Sequence, residues 1–270
     1  MPDRIHVAAH QWVYASRREG YDILPIIDDI IADMAYAGLD GIELMHTALT
    51  QDGAVERIAA ASQREGLPVI GSSFGGAMWD AAQAEKVVQE AYLVTARLQA
   101  LGGKALGVSV GKPPERKTPE QFDVQAKVLR EIDAMCTERG IRMNLHNHTY
   151  EVEDGEYDLR GTLSRFPEAK LGPDLNWLRR AGIEPVDFIR SYGRRIIFLH
   201  LRDARKDGRW VESVGEGDED FAAIAGALKE IRFEGIASIE LAWEGDFEPT
   251  RPLRESLKLS REHIRQTMGW

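Results

Sequence analysis

The chain carries a single cysteine, Cys136, in 270 residues, so no intrachain disulfide is available and no oxidising compartment is implied. Cys136 falls in the pattern Val128-Leu129-Ile132-Met135-Cys136, which assigns it to the buried face of a helix. No run of eighteen apolar residues occurs, which excludes a membrane-spanning helix, and no membrane partner is expected. Met1-Pro2-Asp3-Arg4 lacks the apolar stretch of a signal peptide. Together with the lone cysteine this predicts a cytoplasmic protein. GxGxxG and Walker patterns are absent, which argues against a nucleotide-binding open sheet. Basic residues are the minority: 34 Lys and Arg against 44 Asp and Glu give a net charge of −10. A polyanion is repelled on average by such a surface, so no nucleic-acid partner is expected. The densest basic stretch, Lys112 to Lys117, contains two prolines and reads as a solvated loop.

What is present is alternation. Short β-like runs are predicted at Ile5–His10, Gly41–Met45, Pro68–Ser72, Ala105–Val110, Arg142–Asn147, Lys170–Asp174, Ile196–Leu201 and Ala237–Leu241. Between them the apolar residues recur with helical period, as at Ile23–Ala37, Ala81–Ala100 and Phe122–Arg139. Gly38, Gly66, Gly102 and Gly140 stand where helices should stop, just ahead of the next strand. Thr118-Pro119-Glu120-Gln121 has the order of an N-cap, a proline at the first helical position, and a capping box. Gly71 to Gly76 reads as a flexible loop after the third strand. No linker or composition break interrupts the pattern. Eight βα units therefore predict an α/β fold, a single (β/α)8 TIM barrel occupying residues 1–270 as one domain.

In a barrel of this kind, chemistry collects at the carboxyl ends of the strands. The fifth candidate strand runs Met143-Asn144-Leu145-His146-Asn147-His148-Thr149-Tyr150-Glu151. Period-2 alternation puts Asn144, His146 and His148 on one face, toward the barrel mouth. Read alone, this is either a metal or proton-transfer site or a hydrogen-bonded polar cluster. The next three strands end in Asp174, in His200 with Arg202 and Asp203, and in Glu240. A lone histidine there is more often a satisfied core residue. Four consecutive strands ending in Glu, Asp, His and Glu concentrate negative charge that a divalent cation would offset. Three carboxylates and one imidazole suit Mn²⁺ best, with Mg²⁺, Co²⁺ or Zn²⁺ as alternatives.

These residues give the chain a resemblance to the xylose-isomerase-like TIM-barrel superfamily of sugar-phosphate isomerases and epimerases, which also holds ketose 3-epimerases, inosose dehydratase and endonuclease IV. The resemblance spans the chain and is strongest from Met143 to Glu244. It rests on Val214-Gly215-Glu216-Gly217-Asp218-Glu219-Asp220-Phe221, on Gly235-Ile236-Ala237-Ser238-Ile239-Glu240, and on Gly41-Ile42-Glu43-Leu44. It implies metal ligands Glu151, Asp174, His200 and Glu240, and one bound divalent ion. Two departures stand out: His146 occupies the strand position where many epimerases carry Glu, and Trp177 stands where many carry a substrate-binding His. The His-Asn-His-Thr-Tyr-Glu pattern is closer to the dehydratase and keto-glycoside-processing branches.

The reaction implied is proton abstraction alpha to a metal-bound carbonyl of a small keto-sugar or polyol, through an enediolate. Glu151 and Glu240 are the implied acid and base, with His148 as proton shuttle. His146, Arg202, Trp177, His10 and Glu43 are candidate substrate contacts, and Asp203 a candidate to orient Arg202. Trp12, Phe74, Trp79, Trp177 and Trp243 are candidate apolar walls or plain core. His46 follows the second strand; His6 and His263 read as structural or exposed, and Lys112 as a solvated loop lysine. Reprotonation of the enediolate makes the enzyme an isomerase or epimerase. Loss of a β-hydroxyl or β-glycosyl group makes it a lyase. An endonuclease-IV-like phosphodiesterase and a non-catalytic sugar-binding barrel are the remaining alternatives, and homo-oligomerisation is left open.

Overall fold

A computed structural model describes residues 5–243 and 247–270. The N-terminal Met1-Pro2-Asp3-Arg4 and Glu244, which closes the stretch of strongest resemblance, lie outside the described residues.

Seven parallel strands form one sheet: β1 His6–His10, β2 Gly41–Met45, β3 Val69–Gly75, β4 Ala105–Ser109, β5 Arg142–Leu145, β6 Phe198–Leu201 and β7 Ile236–Ile239. Their order is β5-β4-β3-β2-β1-β7-β6. The sixth of the eight expected strands, Lys170–Asp174, is not a strand. It contributes single bridges, Leu171 to both Leu145 and Ile196, and Asp174 to His200. Those bridges close the sheet between β5 and β6 into a TIM barrel. The physical reason is local: Pro173 has no N–H to give to a ladder, and Asp174 leaves the sheet to cap the helix Leu175–Arg180. Gly172 allows the close approach, because a Cβ there would collide with the Asn144 side-chain amide inside the barrel.

The helices sit where the periodicity places them, with trimmed ends: Ile27–Tyr36, Ala84–Ala100 and Pro119–Glu138. Gly38, Gly66, Gly102 and Gly140 all have positive φ, as helix-terminating glycines should. Thr118 and Gln121 form the reciprocal capping box, at 3.3 and 2.9 Å. Ile27, Ile30, Ile31 and Met34 are fully buried between helix and sheet, and Cys136 is buried on its helix. Gly71 to Gly76 is not a loop after β3. Gly71 to Gly75 pair in register with Ala105 to Ser109, so the run is ladder rather than hinge.

The stretch Val214 to Phe221 is also explained by packing. Asp203 accepts hydrogen bonds from the N–H groups of Gly215, Gly217 and Glu219 at 2.8, 2.9 and 3.2 Å. A side chain on Gly217 would strike that carboxylate. Asp203 therefore secures the loop after β6. Among the described residues no helix is long and apolar enough to cross a membrane.

Candidate active site

The carboxyl ends of the strands open on a cavity of about 380 Å³. Its polar wall comes from His146, His148, His200, Arg202 and Glu240, with His10 and Ser73 across the mouth. Every one of these lies at or just beyond a strand end, which is why the parallel ladder brings them together.

Two histidines form the centre. His200 Nδ1 faces His146 Nδ1 at 2.9 Å, and His200 Nε2 is 2.8 Å from Glu43 Oε2. Burial lowers the pKa of His200, but Glu43 and Glu240 outweigh it and raise the pKa to about 9. Burial, His200 and His148 push His146 well below its ordinary value. The pair therefore shares one proton in the metal-free protein: His200 carries it and His146 offers a lone pair. Burial raises the pKa of Glu43, yet His200 and His10 more than reverse this and keep it ionised.

Asp174 supplies the third donor. One of its oxygens accepts from the N–H groups of Asn176 and Trp177, both at 3.0 Å. The other has Arg202 Nε at 2.5 Å but no aligned hydrogen-bond donor. Arg202 also reaches Glu240, 2.6 Å from Nη2 to Oε1, and lies over Trp177 and Trp210 at 5.2 and 5.6 Å. Burial raises the pKa of Glu240, but Arg202 and the three histidines pull it far below the usual carboxylate range. Burial raises that of Asp174, partly countered by Arg202. His10 accepts from the Trp12 N–H on Nδ1 at 3.1 Å and meets Ser73 Oγ through Nε2 at 3.0 Å. That fixes a neutral tautomer with the proton on Nε2, in line with its burial-lowered pKa.

One ligand atom each from His146, Asp174 and His200 lies within 4.8 Å of the others. Convergent Nδ1 lone pairs repel unless a proton or a cation lies between them, and Asp174 adds an oxygen without an aligned donor. Glu43 on the far nitrogen of His200 is the outer partner that orients a metal-ligating imidazole. The donor set fits a divalent cation. Glu240 is engaged by Arg202 and lies 3.7 Å from His200 Nε2, the ring nitrogen away from His146.

Glu151 lies elsewhere. It sits in the first turn of the segment Thr149–Arg165, which is helical apart from a break where Asp154, Gly155 and Glu156 have positive φ. Its carboxylate accepts from the backbone N–H of His148 at 2.6 Å and lies 3.6 Å from His148 Nδ1. It does not line the cavity; it faces a separate small void with Asp158 and Thr162. Burial alone would lower the His148 pKa, but the Glu151 carboxylate raises it. The strand ends at Leu145, so His148 occupies the N-cap of the following helix rather than a strand position.

Of the five aromatic candidates, Trp12, Phe74 and Trp177 line the cavity. Trp79 instead donates to the Gly111 carbonyl at 3.0 Å, and Trp243 stacks on Phe247. His46 lines the cavity, edge-on to Phe74, and Lys112 is exposed in a different pocket. His263 packs against Phe221. Sequence reasoning missed Ser73, which lay inside the supposed loop. It also missed Lys117, which is not solvated: Nζ is buried 2.6 Å from Asp158.

Fold and site together define a TIM barrel with a candidate His/Asp/His cation centre at the carboxyl ends of its strands. The Xylose isomerase-like TIM barrel family matches residues 31–263, and the chain belongs to that family. Inosose dehydratase of Clostridium perfringens is 24% identical over 168 residues, covering 54% of this chain and 55% of its own. That of Clostridium tetani is 26% identical over 168 residues, covering 55% of each. The chain thus spans about half the length of the curated relatives it matches. A D-allulose 3-epimerase from Methylomonas sp. superposes with a TM-score of 0.76 over 98% of this chain and 99% of that one, at 19% identity. The 3-keto-D-glucoside 4-epimerase of E. coli gives 0.70 over 96% and 100%, at 15% identity. At such identities the likeness establishes the fold.

Proposed function

We propose that this protein is a divalent-metal-dependent sugar isomerase or epimerase that removes the proton alpha to the carbonyl of a small keto-sugar or keto-polyol. The observation that carries the reading is the convergence of His146, Asp174 and His200 at the barrel mouth, with the two Nδ1 atoms 2.9 Å apart. These three residues would hold the ion; two imidazoles with one carboxylate suit Zn²⁺ as well as Mn²⁺, and Glu240 would have to turn from Arg202 to join them. A bound divalent ion would supply Lewis acidity toward a substrate carbonyl.

The chain's own residues supply the proton chemistry. Glu240 faces the cavity in its ionised form; the Arg202 ion pair that depresses its pKa also weakens it as a base, so it would act as one only when ligand binding draws Arg202 away. His148 faces the same cavity and is the group that would return a proton on the other side of the substrate. Glu151, placed behind His148, would act through that imidazole by holding its charge. Arg202 anchors Glu240 and lies within reach of a substrate oxygen. His10 presents Nε2–H next to Ser73, a pair suited to a sugar hydroxyl.

A lyase is the second reading, favoured by the similarity to inosose dehydratases and by His148, a cavity-facing group able to protonate a departing oxygen. The deciding experiment incubates the Mn²⁺-supplemented protein with ketoses, inososes and 3-keto-glycosides in D₂O and follows products by mass and NMR. A product isomeric with its substrate and one deuteron heavier supports the isomerase. Loss of water or an aglycone moves the assignment to the lyase. An inert panel, with Glu240→Gln indistinguishable from the parent protein, defeats both.

A further inference from the structure

Apolar side chains gather on one side of the cavity: Trp12 just after β1, Met45 at the end of β2 and Phe74 within β3, with the Trp12 ring braced by Tyr21 at 5.4 Å. His146, His148, His200, Arg202 and Glu240 come from the segment after β5 and from β6 and β7 onward, while His10, His46, Ser73 and Ser109 stand on the same side as the three apolar residues. A bare polyol presents hydroxyls in every direction, and each hydroxyl buried without a partner costs free energy. The wall made by Trp12, Met45 and Phe74 offers carbon where such hydroxyls would need donors and acceptors.

Charge inside the cavity points the same way. Among the described residues lining it, Arg202 is the one permanent cation, and Asp174 and Glu240 already neutralise it at 2.5 and 2.6 Å. The helix Leu175–Arg180 begins at the cavity edge, but its first N–H groups are taken by the Asp174 carboxylate. Among the described lining residues, no permanently charged side chain is left without a carboxylate partner to receive a phosphate. Lys112 and Arg116 line a separate pocket with Glu153 and Asp154.

We infer that the natural ligand of this cavity is an unphosphorylated, uncharged sugar bearing an apolar substituent, with the substituent seated against Trp12, Met45 and Phe74. This rests on the sugar-binding reading of the same site and specifies its substrate class.

The test is calorimetric binding to Mn²⁺-supplemented protein, which needs no turnover. The probes are phenyl β-D-glucopyranoside, methyl β-D-glucopyranoside, D-glucose and D-glucose 6-phosphate. The phenyl glycoside is expected to bind at least tenfold tighter than the methyl glycoside, about 1.4 kcal/mol, within what one buried and stacked ring supplies. The 6-phosphate is expected to bind no tighter than glucose. Trp12→Ala should remove most of the phenyl preference and Trp12→Phe should restore it, with circular dichroism establishing that both variants fold. A phenyl preference without deuterium exchange in the turnover assay sinks the isomerase reading and leaves this inference standing. Equal affinity for the two glycosides, a phenyl preference that survives Trp12→Ala, tighter binding of the phosphate, or no binding of either glycoside overturns it.

Discussion

His146 and His200 meet nitrogen to nitrogen, Nδ1 to Nδ1, at 2.9 Å. In the metal-free protein one proton satisfies that contact. A cation that replaces the proton would use both lone pairs, and so metal uptake should release a proton from this pair. His146→Ala leaves His200 and Asp174 without their third donor. The purified variant is expected to hold well under a tenth of a metal ion per chain after desalting, where the parent protein retains close to one. Elemental analysis checks this, and equal metal content in the two proteins would remove His146 from the site.

Glu43 stands behind the cavity wall, its carboxylate 2.8 Å from His200 Nε2. Removing an outer partner of a ligating histidine usually costs about 10- to 100-fold in metal affinity. Glu43→Gln keeps the shape and loses the charge, so it should weaken Mn²⁺ binding by that factor while the fold persists. Competition with a chelator of known affinity measures it. Unchanged affinity would mean that Glu43 serves the barrel core alone.

Much of this architecture was legible because it follows from periodicity and from chain punctuation. Ile27, Ile30, Ile31 and Met34 announce a helix face, and Gly38, Gly66, Gly102 and Gly140 mark where helices yield to strands. Asp174, His200 and Glu240 were readable as strand-end residues because apolar runs precede them. Three things were not readable. Pro173 makes the sixth barrel position a set of bridges, a consequence of ladder geometry that an apolar count does not register. Strand alternation was extended three residues too far, to His148, because nothing in the local composition marks Leu145 as the last paired residue. Lys117 looked like a loop lysine, and only the tertiary fold supplies Asp158 to bury it.

That buried pair carries its own prediction. Burial pulls the Lys117 pKa down against the attraction of Asp158, and pushes the Asp158 pKa up. Both ions depend on each other, since removing one partner of a buried pair leaves an uncompensated charge worth about 3–5 kcal/mol. Lys117→Met should therefore destabilise the protein by roughly that amount. The double variant Lys117→Met with Asp158→Leu should recover most of the loss, because an apolar pair of similar volume needs no counter-charge. Urea denaturation of the parent and three variants measures the coupling. Additive losses in the double variant would contradict it.

Cys136 is buried on its helix, and burial with the nearby Asp133 pushes its thiol up to about 12. The reactive species is the thiolate, so both access and ionisation are denied in the native state. An aromatic disulfide reagent at neutral pH should label less than about a tenth of the protein in an hour and label it fully in denaturant. Rapid labelling of the folded protein would place Cys136 in a segment that opens easily.

Glu212 ties the loop after β6 to the segment that follows β7. Its oxygens accept from the Thr250 and Arg251 N–H groups, both at 2.9 Å, and from the Thr250 hydroxyl at 2.7 Å. Burial alone would raise its pKa, but the bonds from Thr250 and Arg251 outweigh that and hold it below the ordinary value of 4.5. The sign of the linkage follows. The folded state binds fewer protons at this site than the unfolded chain, so the stabilisation is complete above the ordinary carboxylate pKa and is lost as pH falls through the depressed one. Glu212→Gln should consequently melt below the parent protein at neutral pH, with a gap that narrows as pH drops under about 4.5. Thermal denaturation of both proteins across that range tests it. A gap that stays constant with pH would assign the loss to altered hydrogen-bond geometry rather than to the carboxylate's charge.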